Sequence, residues 1–340
     1  MSRVVTMGEM MLRLMPRGHL RLEQATSFDA FYGGDESIVA ASLARFGIDT
    51  AYVTKLPDNP LGRAALSQLR SQGLNTEFVA IGGERLGLNY YETGAAVRPS
   101  RVVYDRRHSA MAEATLSDFD FDRIFQGAEW FHVSGITPAL SDNTAMLTEK
   151  AMATAKQHGV TVSVDLNYRR KLWSPEKARQ VMTNLMKYVD VCIGNEEDAE
   201  ITLGFKPAGT DVYSGQLNVE AYKDVFRQMR ERFGFKYIGT TLRESHSASD
   251  NVWSVLVYDG KTFCHSRKYH LHLVDRGGGG ASFAAGLIYG LLTGMSLEET
   301  AEFAAAASAL KQTILGDFNL TTVGEVMELV KGDVSGRVQR

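Results

Sequence analysis

The sequence predicts an α/β protein with a central, mostly parallel β-sheet flanked by helices and a small β-sheet lid. Short runs of β-branched and apolar residues alternate with longer segments of helical period, which is the pattern of βαβ units. Two regions, about 10–33 and 77–110, break this alternation with period-2 patterns and turn residues. Such patterns indicate antiparallel strands outside the main sheet, and we interpret them as the lid.

The predicted elements follow one another along a single domain, 1–335, with 336–340 as a short tail. The spacing of Val39, Leu43 and Phe46 places these three side chains on one face of a helix. Apolar residues at 284, 287, 288 and 291 predict a second helix in the same way. Strands of the central sheet are expected near 4–8, 51–56, 129–134, 161–165, 189–193 and 237–241.

The composition narrows the class of partner. A net charge of -3 and a pI near 6.3 argue against nucleic acid, because affinity for that polyanion depends on clustered Lys and Arg. No apolar run reaches the roughly 20 residues that a membrane span needs. The two cysteines, Cys192 and Cys264, allow no disulfide framework, so we expect a cytoplasmic protein that binds small molecules.

The most informative segment is a run of four glycines, 277–280, that leads directly into the amphipathic helix around Phe283. Glycines let backbone N–H groups converge without Cβ obstruction, and the start of a helix adds its positive dipole end. This geometry suits a phosphate or a developing anion. The alternative is a flexible turn before a core helix, and this segment alone leaves it open.

Two common phosphate-binding motifs are absent from the sequence. A dinucleotide fingerprint starting at Gly277 or Gly278 requires a glycine where Ser282 or Phe283 stands, so an NAD-dependent dehydrogenase is disfavoured. A Walker A motif at 260–262 lacks its first glycine, and Asp259-Gly260 between two strand-like runs predicts a hairpin turn instead.

The run from Asp275 to Phe283 resembles the second signature of the ribokinase (PfkB) superfamily of carbohydrate kinases, D-x-x-G-x-G-D-x-F. Ala281 stands at the position of that family's proton-accepting Asp. Residues 33–40 resemble the first signature, G-G-x-x-x-N-x-A, with Ile38 at the position of its sugar-binding Asn. The similarity to the 2-keto-3-deoxygluconate kinases of this superfamily covers nearly the whole chain, through motifs at 7–9, 54–56, 98–106, 130–137, 165–169, 195–198, 241–245 and 316–318.

The resemblance implies a ribokinase-like fold with a Rossmann-like central sheet, and a set of site residues. The positions that would hold the keto sugar acid are Gly33, Gly34, Asp35, Ile38, Tyr90, Tyr104, Arg106 and Arg169. The positions on the nucleotide side are Asn195, Thr241, Arg243, Gly278, Gly280, Ala307 and Lys311. Glu196 and Asp198 would arrange Mg²⁺ through water, and Gly278, Gly279 and Gly280 would form an anion hole beside Ala281.

Structural explanations compete with several of these roles. Tyr90 and Tyr104 can be ordinary lid packing, and Arg106 and Arg169 can be surface ion pairs. Residues 195–198 begin a predicted helix, where Asn and acidic side chains are favoured by capping alone. Histidines at 265, 270 and 272 have zinc-like spacing that alternation along a strand explains equally well.

The implied reaction is ATP-dependent phosphorylation of 2-keto-3-deoxygluconate at its 6-hydroxyl. Without a carboxylate at 281 the general base is missing, which removes about 10²–10⁴ in rate, so we expect impaired turnover. Two alternatives stay open: a non-catalytic sugar- or nucleotide-binding protein on the same scaffold, and a kinase for fructose or a nucleoside. The open edges of lid strands also predict a homo-oligomer, since a partner's lid would cover them.

Overall fold

The computed structural model describes residues 3–206 and 218–332. Two sheets and the helices around the larger one account for this part of the chain. The strands are β1 (Val4–Met7), β2 (Met11–Met15), β3 (Asp29–Gly33), β4 (Thr50–Leu56), β5 (Val79–Ile81), β6 (Gly87–Glu92), β7 (Arg101–Asp105), β8 (Trp130–Ser134), β9 (Thr161–Asp165), β10 (Val191–Ile193), β11 (Tyr237–Ser245), β12 (Asp250–Tyr258), β13 (Phe263–His265) and β14 (Tyr269–His272). The helices are α1 (Asp35–Arg45), α2 (Pro60–Ser71), α3 (Phe121–Phe125), α4 (Ile136–Ala139), α5 (Asp142–Gln157), α6 (Pro175–Leu185), α7 (Glu196–Leu203), α8 (Val219–Phe233), α9 (Gly279–Thr293), α10 (Leu297–Lys311) and α11 (Val323–Lys331).

The larger sheet is mostly parallel, as the alternation of strand and helix predicted. Its order is β13-β12-β11-β10-β9-β8-β1-β4-β5, and β14 pairs with the other part of β12. All pairings from β5 through to β11 are parallel, whereas β12 is antiparallel to β11, β13 and β14. The predicted hairpin turn at Asp259-Gly260 joins β12 to β13, with Gly260 at a φ of 89°. All six predicted central strands are present.

The lid is a separate four-stranded sheet of order β3-β2-β6-β7. Strands β2 and β6 are parallel to each other, and β3 and β7 are antiparallel to them. The range 77–110 is too wide for the lid, because β5 pairs with β4 at the edge of the central sheet. Strand β5 has three residues, and a run this short is not distinguished from the neighbouring lid strands by its sequence pattern. The predicted tail, 336–340, lies outside the described residues.

Two apolar clusters cover the faces of the central sheet. Helices α3, α5, α6 and α8 supply one face, and α1, α2, α9, α10 and α11 supply the other. Helix α9 is buried along most of its length because its residues are almost all apolar or small. Gly286 lets α10 approach closely, since a Cβ there would lie 2.6 Å from Ala304 Cα. No helix among the described residues is long and apolar enough to cross a membrane.

The aromatic contacts around Phe303 allow a test of this packing. Phe303 is fully buried, stacks on Tyr289 at 4.7 Å and meets Phe46 edge-on at 5.3 Å. We expect Phe303→Ala to lower the free energy of unfolding by about 3–5 kcal/mol, because it leaves a cavity in the core. Urea denaturation measures this change. Leu61→Ala, at a side chain 43% exposed, is the control, and an equally small loss at Phe303 would contradict the assigned packing.

Candidate active site

The four-glycine run forms the corner at which α9 begins. Gly278 precedes the helix with a φ of 79°, in the left-handed region that glycine favours, and no side chain caps the helix. A Cβ at Gly278 would lie 2.6 Å from the Asp317 carbonyl oxygen, whereas a Cβ at Gly280 would meet no atom within 4 Å. The first turn of α9 therefore presents its backbone N–H groups to open space, and the corner fits a phosphate.

A buried ion pair holds this corner. Asp275 accepts hydrogen bonds from the backbone N–H groups of Gly277 at 2.9 Å and Gly316 at 3.0 Å. Its two oxygens also accept from the Arg13 guanidinium at 3.2 and 2.5 Å, and Arg13 lies 3.3 Å from Asp317. Both members of the main pair are almost fully buried. Since Arg13 belongs to lid strand β2, this pair joins the lid to the glycine corner.

Lys311 and Ala307 lie behind the corner, and neither lines the cleft, which differs from the expected position at the adenine end. The Lys311 Cε lies 3.1 Å from where a Cβ on Gly278 would stand, and its Nζ donates to the Ile314 carbonyl at 3.1 Å. Burial lowers the pKa of Lys311 to about 8. Ala307 is fully buried in the apolar cluster around α9. Lys311 therefore supports the loop from inside the protein.

A cavity of about 360 Å³ opens in front of the glycine corner. It collects residues from the carboxyl ends of β9, β10 and β11, where ligands of open α/β sheets bind. Its lining comprises Asp35, Asp165, Asn167, Arg169, Ile193, Gly194, Asn195, Asp198, Thr241, Arg243, Trp253, Arg276, Gly277, Gly278, Gly279, Gly280, Ala281, Phe283 and Gln312. We refer to this cavity as the cleft.

Three carboxylates line the cleft. Burial raises the pKa of Asp165 well above its ordinary value, and the nearby charges of Asp35 and Asp198 raise it further. Burial likewise raises the pKa of Asp198 to about 6 and raises that of Asp35, while Arg169 opposes both shifts. These groups repel one another when ionised, so a cation would be stabilised beside them.

Asn167 adopts an unusual backbone conformation beside these acids. Its φ is 38°, in the left-handed region, and its backbone N–H donates to Asp165 Oδ1 at 3.2 Å. The Asn167 side chain opposes the rise that burial causes in the pKa of Asp35. A strained residue at a strand end of this kind is typical of functional sites.

The residues predicted to arrange magnesium divide between two places. Asp198 lines the cleft and accepts backbone N–H groups from Tyr168 at 2.9 Å and Asn195 at 3.3 Å. Glu196 does not line it, because its carboxylate accepts a hydrogen bond from the Tyr222 hydroxyl. Asn195 caps α7 by accepting the Asp198 N–H at 2.9 Å, so the capping role is present as well.

The donor set fits magnesium bound through water better than magnesium bound directly. Within 3–206 and 218–332, no three His, Cys, Asp or Glu side chains are grouped to hold a metal ion. His265 lies in β13, and His270 and His272 lie in β14. His272 Nδ1 lies 2.8 Å from Asp250 Oδ1. Asp165, Asp198 and the Asn195 amide supply the hard oxygen atoms that Mg²⁺ and its waters prefer.

Two arginines supply positive charge to the cleft. Arg243 and Arg276 both line it beside Thr241. Burial lowers the pKa of Arg243, and the charge of Arg276 lowers it further. These two guanidinium groups repel each other, and an anion between them, such as a phosphate, would stabilise both.

A second cavity of about 480 Å³ lies under the lid strand β7. Its lining carries five basic residues and no acidic one, and Arg169 lines both this cavity and the cleft. We refer to it as the cationic cavity. Its lining comprises Val103, Tyr104, Arg106, Arg107, Ala139, Leu140, Tyr168, Arg169, Arg170, Lys171 and Leu172.

Tyr104 lies in lid strand β7, and Arg106 directly follows that strand. The Arg106 guanidinium is paired with the buried Glu9 carboxylate, to which the Ser109 hydroxyl also donates at 2.5 Å. Two cationic side chains lie over the Tyr104 ring, with Arg106 Cζ at 5.5 Å and Lys171 Nζ at 5.9 Å from its centroid. The Lys171 Nζ donates to the Val102 carbonyl at 3.0 Å and so ties β7 to the body.

The remaining predicted sugar-site residues line neither cavity. A Cβ at Gly33 would overlap Asp317, and one at Gly34 would lie 1.9 Å from the Glu9 carbonyl oxygen, so both glycines permit close packing. Ile38 is 5% exposed in the apolar cluster. Tyr90 meets Phe28 edge-on at 6.0 Å.

Some lining residues were not predicted as site residues. Asp165 and Asn167 stand at the carboxyl end of β9, and the rule that ligands bind at such strand ends would have found them. Arg276 directly precedes the glycine run, and a basic side chain beside a corner that suits an anion is a signal that would have found it. Trp253 and Gln312 carry no sequence signal, since tertiary folding alone brings β12 and α10 to the cleft.

Comparison with known proteins decides the family. The model for pfkB family carbohydrate kinases matches residues 1–317. The chain belongs to the pfkB family of carbohydrate kinases. This is a family of ATP-using sugar kinases, and the ribokinase-like fold expected from the sequence is confirmed.

Three relatives illustrate the likeness of this pfkB-family chain. It is 33% identical over 335 residues to the 2-dehydro-3-deoxygalactonokinase of Haloferax volcanii, with 98% of each chain covered. The structure of the 2-dehydro-3-deoxygluconokinase of Thermotoga maritima matches with a TM-score of 0.94 and 50% identity, covering 98% and 100%. A putative ribokinase II of E. coli, solved with ATP and Mg²⁺, shares the fold with a TM-score of 0.80 and 16% identity, covering 97% and 99%.

One further buried acid positions the start of α1. Glu36 Oε1 accepts hydrogen bonds from the Ser134 N–H at 3.0 Å, the Ser134 hydroxyl at 2.8 Å and the Thr137 hydroxyl at 2.7 Å. A Cβ at Gly8 would lie 2.0 Å from Glu36 Oε2, so glycine makes room for the carboxylate. Burial, together with the charge of Asp35, raises the pKa of Glu36 to about 7.

Alanine substitutions at two glycines separate loop geometry from ligand binding. We expect Gly278→Ala to destabilise the protein by about 1–2 kcal/mol or more, because a Cβ in the left-handed region is strained. Gly280→Ala should unfold like the wild type yet bind ATP more weakly, since its methyl group enters the cleft. Urea denaturation and calorimetric titration with ATP and Mg²⁺ measure the two effects. Undiminished ATP binding by Gly280→Ala would rule out this corner as the phosphate site.

The raised pKa of Glu36 predicts a pH-dependent stability. Because the folded pKa of about 7 exceeds the ordinary 4.5, the stabilising contribution is complete below pH 4.5 and is lost as pH rises through 7. Glu36→Gln lacks this titration. As pH rises from 4.5 through 7, its free energy of unfolding should therefore rise by about 3 kcal/mol relative to that of the wild type. Urea denaturation at several pH values measures the difference, with the exposed Glu84→Gln as control. Parallel curves for wild type and Glu36→Gln would contradict the shift.

Proposed function

We propose that this protein transfers the γ-phosphoryl group of ATP to the 6-hydroxyl of 2-keto-3-deoxygluconate. The observation that carries the proposal is the position of Arg169, which forms the wall between the cleft and the cationic cavity. A phosphate donor at the glycine corner and an acidic acceptor in the cationic cavity would meet at this residue.

The charge of the cationic cavity favours an acidic sugar. Arg106 is neutralised by Glu9, but Arg169, Arg107 and Lys171 leave a positive excess at its wall. A guanidinium group binds a carboxylate through two parallel hydrogen bonds, and a buried pairing of this kind discriminates strongly against neutral analogues. The names of the similar enzymes agree with a keto-deoxy sugar acid, since both the Haloferax and the Thermotoga proteins are named for such substrates.

The nucleotide side of the cleft has the charges that phosphoryl transfer requires. Gly279 and Gly280 would direct backbone N–H groups at the terminal phosphate, and Arg243 and Arg276 would offset its charge. Asn195 and Asp198 would hold Mg²⁺ through water, and the ion would neutralise the phosphate oxygens. Thr241 would contact the nucleotide from β11.

A second candidate function is binding of the same ligands without turnover. It is favoured by the two apolar side chains at signature positions, Ala281 at 1% exposure and Ile38 at 5%. Neither can accept a proton or a hydrogen bond. A kinase acting on fructose or a nucleoside agrees less well with the cationic cavity, because those acceptors carry no carboxylate.

Replacing Arg169 tests the assignment of the substrate. We expect Arg169→Met to raise the KM for 2-keto-3-deoxygluconate by about 10- to 150-fold, because a charged hydrogen bond contributes about 1.5–3 kcal/mol. Arg169→Lys should recover part of the loss. A coupled ADP-release assay measures both, with Arg63→Met at an exposed arginine as control.

Fructose serves as the neutral comparison in the same assay. If wild type and Arg169→Met used fructose and the keto acid with equal preference, the acidic substrate would be wrong. Tight calorimetric binding of the keto acid without ADP release would identify the binding-only function.

Self-association and a cytoplasmic location stay predictions. Strand β7 forms an edge of the lid sheet, and Val103 and Tyr104 on it are 51% and 36% exposed. A second lid packed against this edge would cover its unpaired backbone groups.

A further inference from the structure

One carboxylate of the cleft has a buried oxygen with no hydrogen-bond partner among the described residues. Asp35 is the first residue of α1, and it lines the cleft together with Gly278–Gly280 and Ala281. Helices α1 and α9 pack against each other, and Ile38 Cδ1 lies 3.5 Å from where a Cβ on Gly278 would stand. The starts of both helices therefore face the same space.

The hydrogen bonds of the cleft acids distinguish Asp35 from the others. Asp198 uses both oxygens to accept backbone N–H groups, and Asp165 Oδ1 accepts that of Asn167. Asp35 Oδ2, by contrast, is shielded from solvent and accepts no hydrogen bond from the described residues. A desolvated carboxylate oxygen without a donor is a strong proton acceptor.

Phosphoryl transfer to an alcohol requires a group that accepts the hydroxyl proton. The side chain at 281 is a methyl group and cannot do this. Asp35 lines the same cleft as the glycine corner, which would hold the terminal phosphate, and Arg169, which would hold the acid end of the sugar. Repulsion between its carboxylate and the phosphates would be offset by Arg169, Arg243 and Arg276, which line the same cleft.

On the basis of the proposed function, we propose that Asp35 is the catalytic base of this kinase. Its carboxylate accepts the proton of the sugar 6-hydroxyl while that oxygen forms a bond to the γ-phosphorus of ATP. The bond from the γ-phosphorus to the β,γ-bridging oxygen breaks, and ADP leaves with the electron pair. The proton passes from Asp35 to water after the phosphorylated sugar departs.

The anchoring of α1 supports this role. Glu36, the next residue, is held by Ser134 and Thr137, so the first turn of the helix is fixed to the central sheet. The backbone at Asp35 is thereby kept at the cleft without help from its own side chain. Replacement of the Asp35 side chain should therefore leave the fold intact.

The test compares four proteins in the ADP-release assay with 2-keto-3-deoxygluconate: wild type, Asp35→Asn, Ala281→Asp and the double variant. We expect Asp35→Asn to lower kcat by about 10²–10⁴-fold with KM changed less than about threefold, as for loss of a general base. The double variant should regain activity, because a carboxylate at 281 supplies a second base at the same cleft. Asp224→Asn, at an exposed acid on α8, is the matched control.

Each other outcome is informative. Unchanged kcat in Asp35→Asn overturns the proposal, and so does loss without recovery in the double variant when Ala281→Asp alone is active. An inactive wild type with an active Ala281→Asp retains the proposed function but overturns the role of Asp35. Inactivity of all four places the error in the proposed function. Thermal unfolding checks each variant, and Asp35→Ala replaces Asp35→Asn if the latter does not fold.

Discussion

The buried ion pair between Arg13 and Asp275 is the interaction on which the site depends. Asp275 accepts two backbone N–H groups, from Gly277 and Gly316, in addition to the guanidinium. Removing either partner would leave an unpaired charge in the interior, which typically costs 3–5 kcal/mol. Because Arg13 comes from the lid, the same pair sets the shape of the glycine corner and the position of the lid above it.

The cleft is built from charges that are unfavourable in isolation. Three acids, Asp35, Asp165 and Asp198, line it together with two arginines, Arg243 and Arg276. Burial raises the pKa of Asp165 and Asp198 and lowers that of Arg243. A magnesium nucleotide would relieve both sets of repulsions at once, since its cation would approach the acids and its phosphates the arginines.

The apolar residues at the two signature positions change less of the chemistry than their places in the motifs suggest. Positioning and electrostatic stabilisation supply most of the rate of phosphoryl transfer, and under the proposed function the glycine corner and its arginines would provide both. A general base contributes a smaller share, about 10²–10⁴-fold. Asp35, one turn before Ile38, brings a carboxylate to the same cleft from a different helix.

Local patterns in the sequence were sufficient for the α/β class, the six central strands, the glycine corner and the family, because periodicity and contiguous motifs are properties of neighbouring residues. Only the tertiary structure decided which side chains, distant in sequence, line the same cavity. It placed β5 in the central sheet, turned Glu196 toward Tyr222, and put Lys311 behind the corner. Such choices depend on burial and on partners from other elements, which no local pattern encodes.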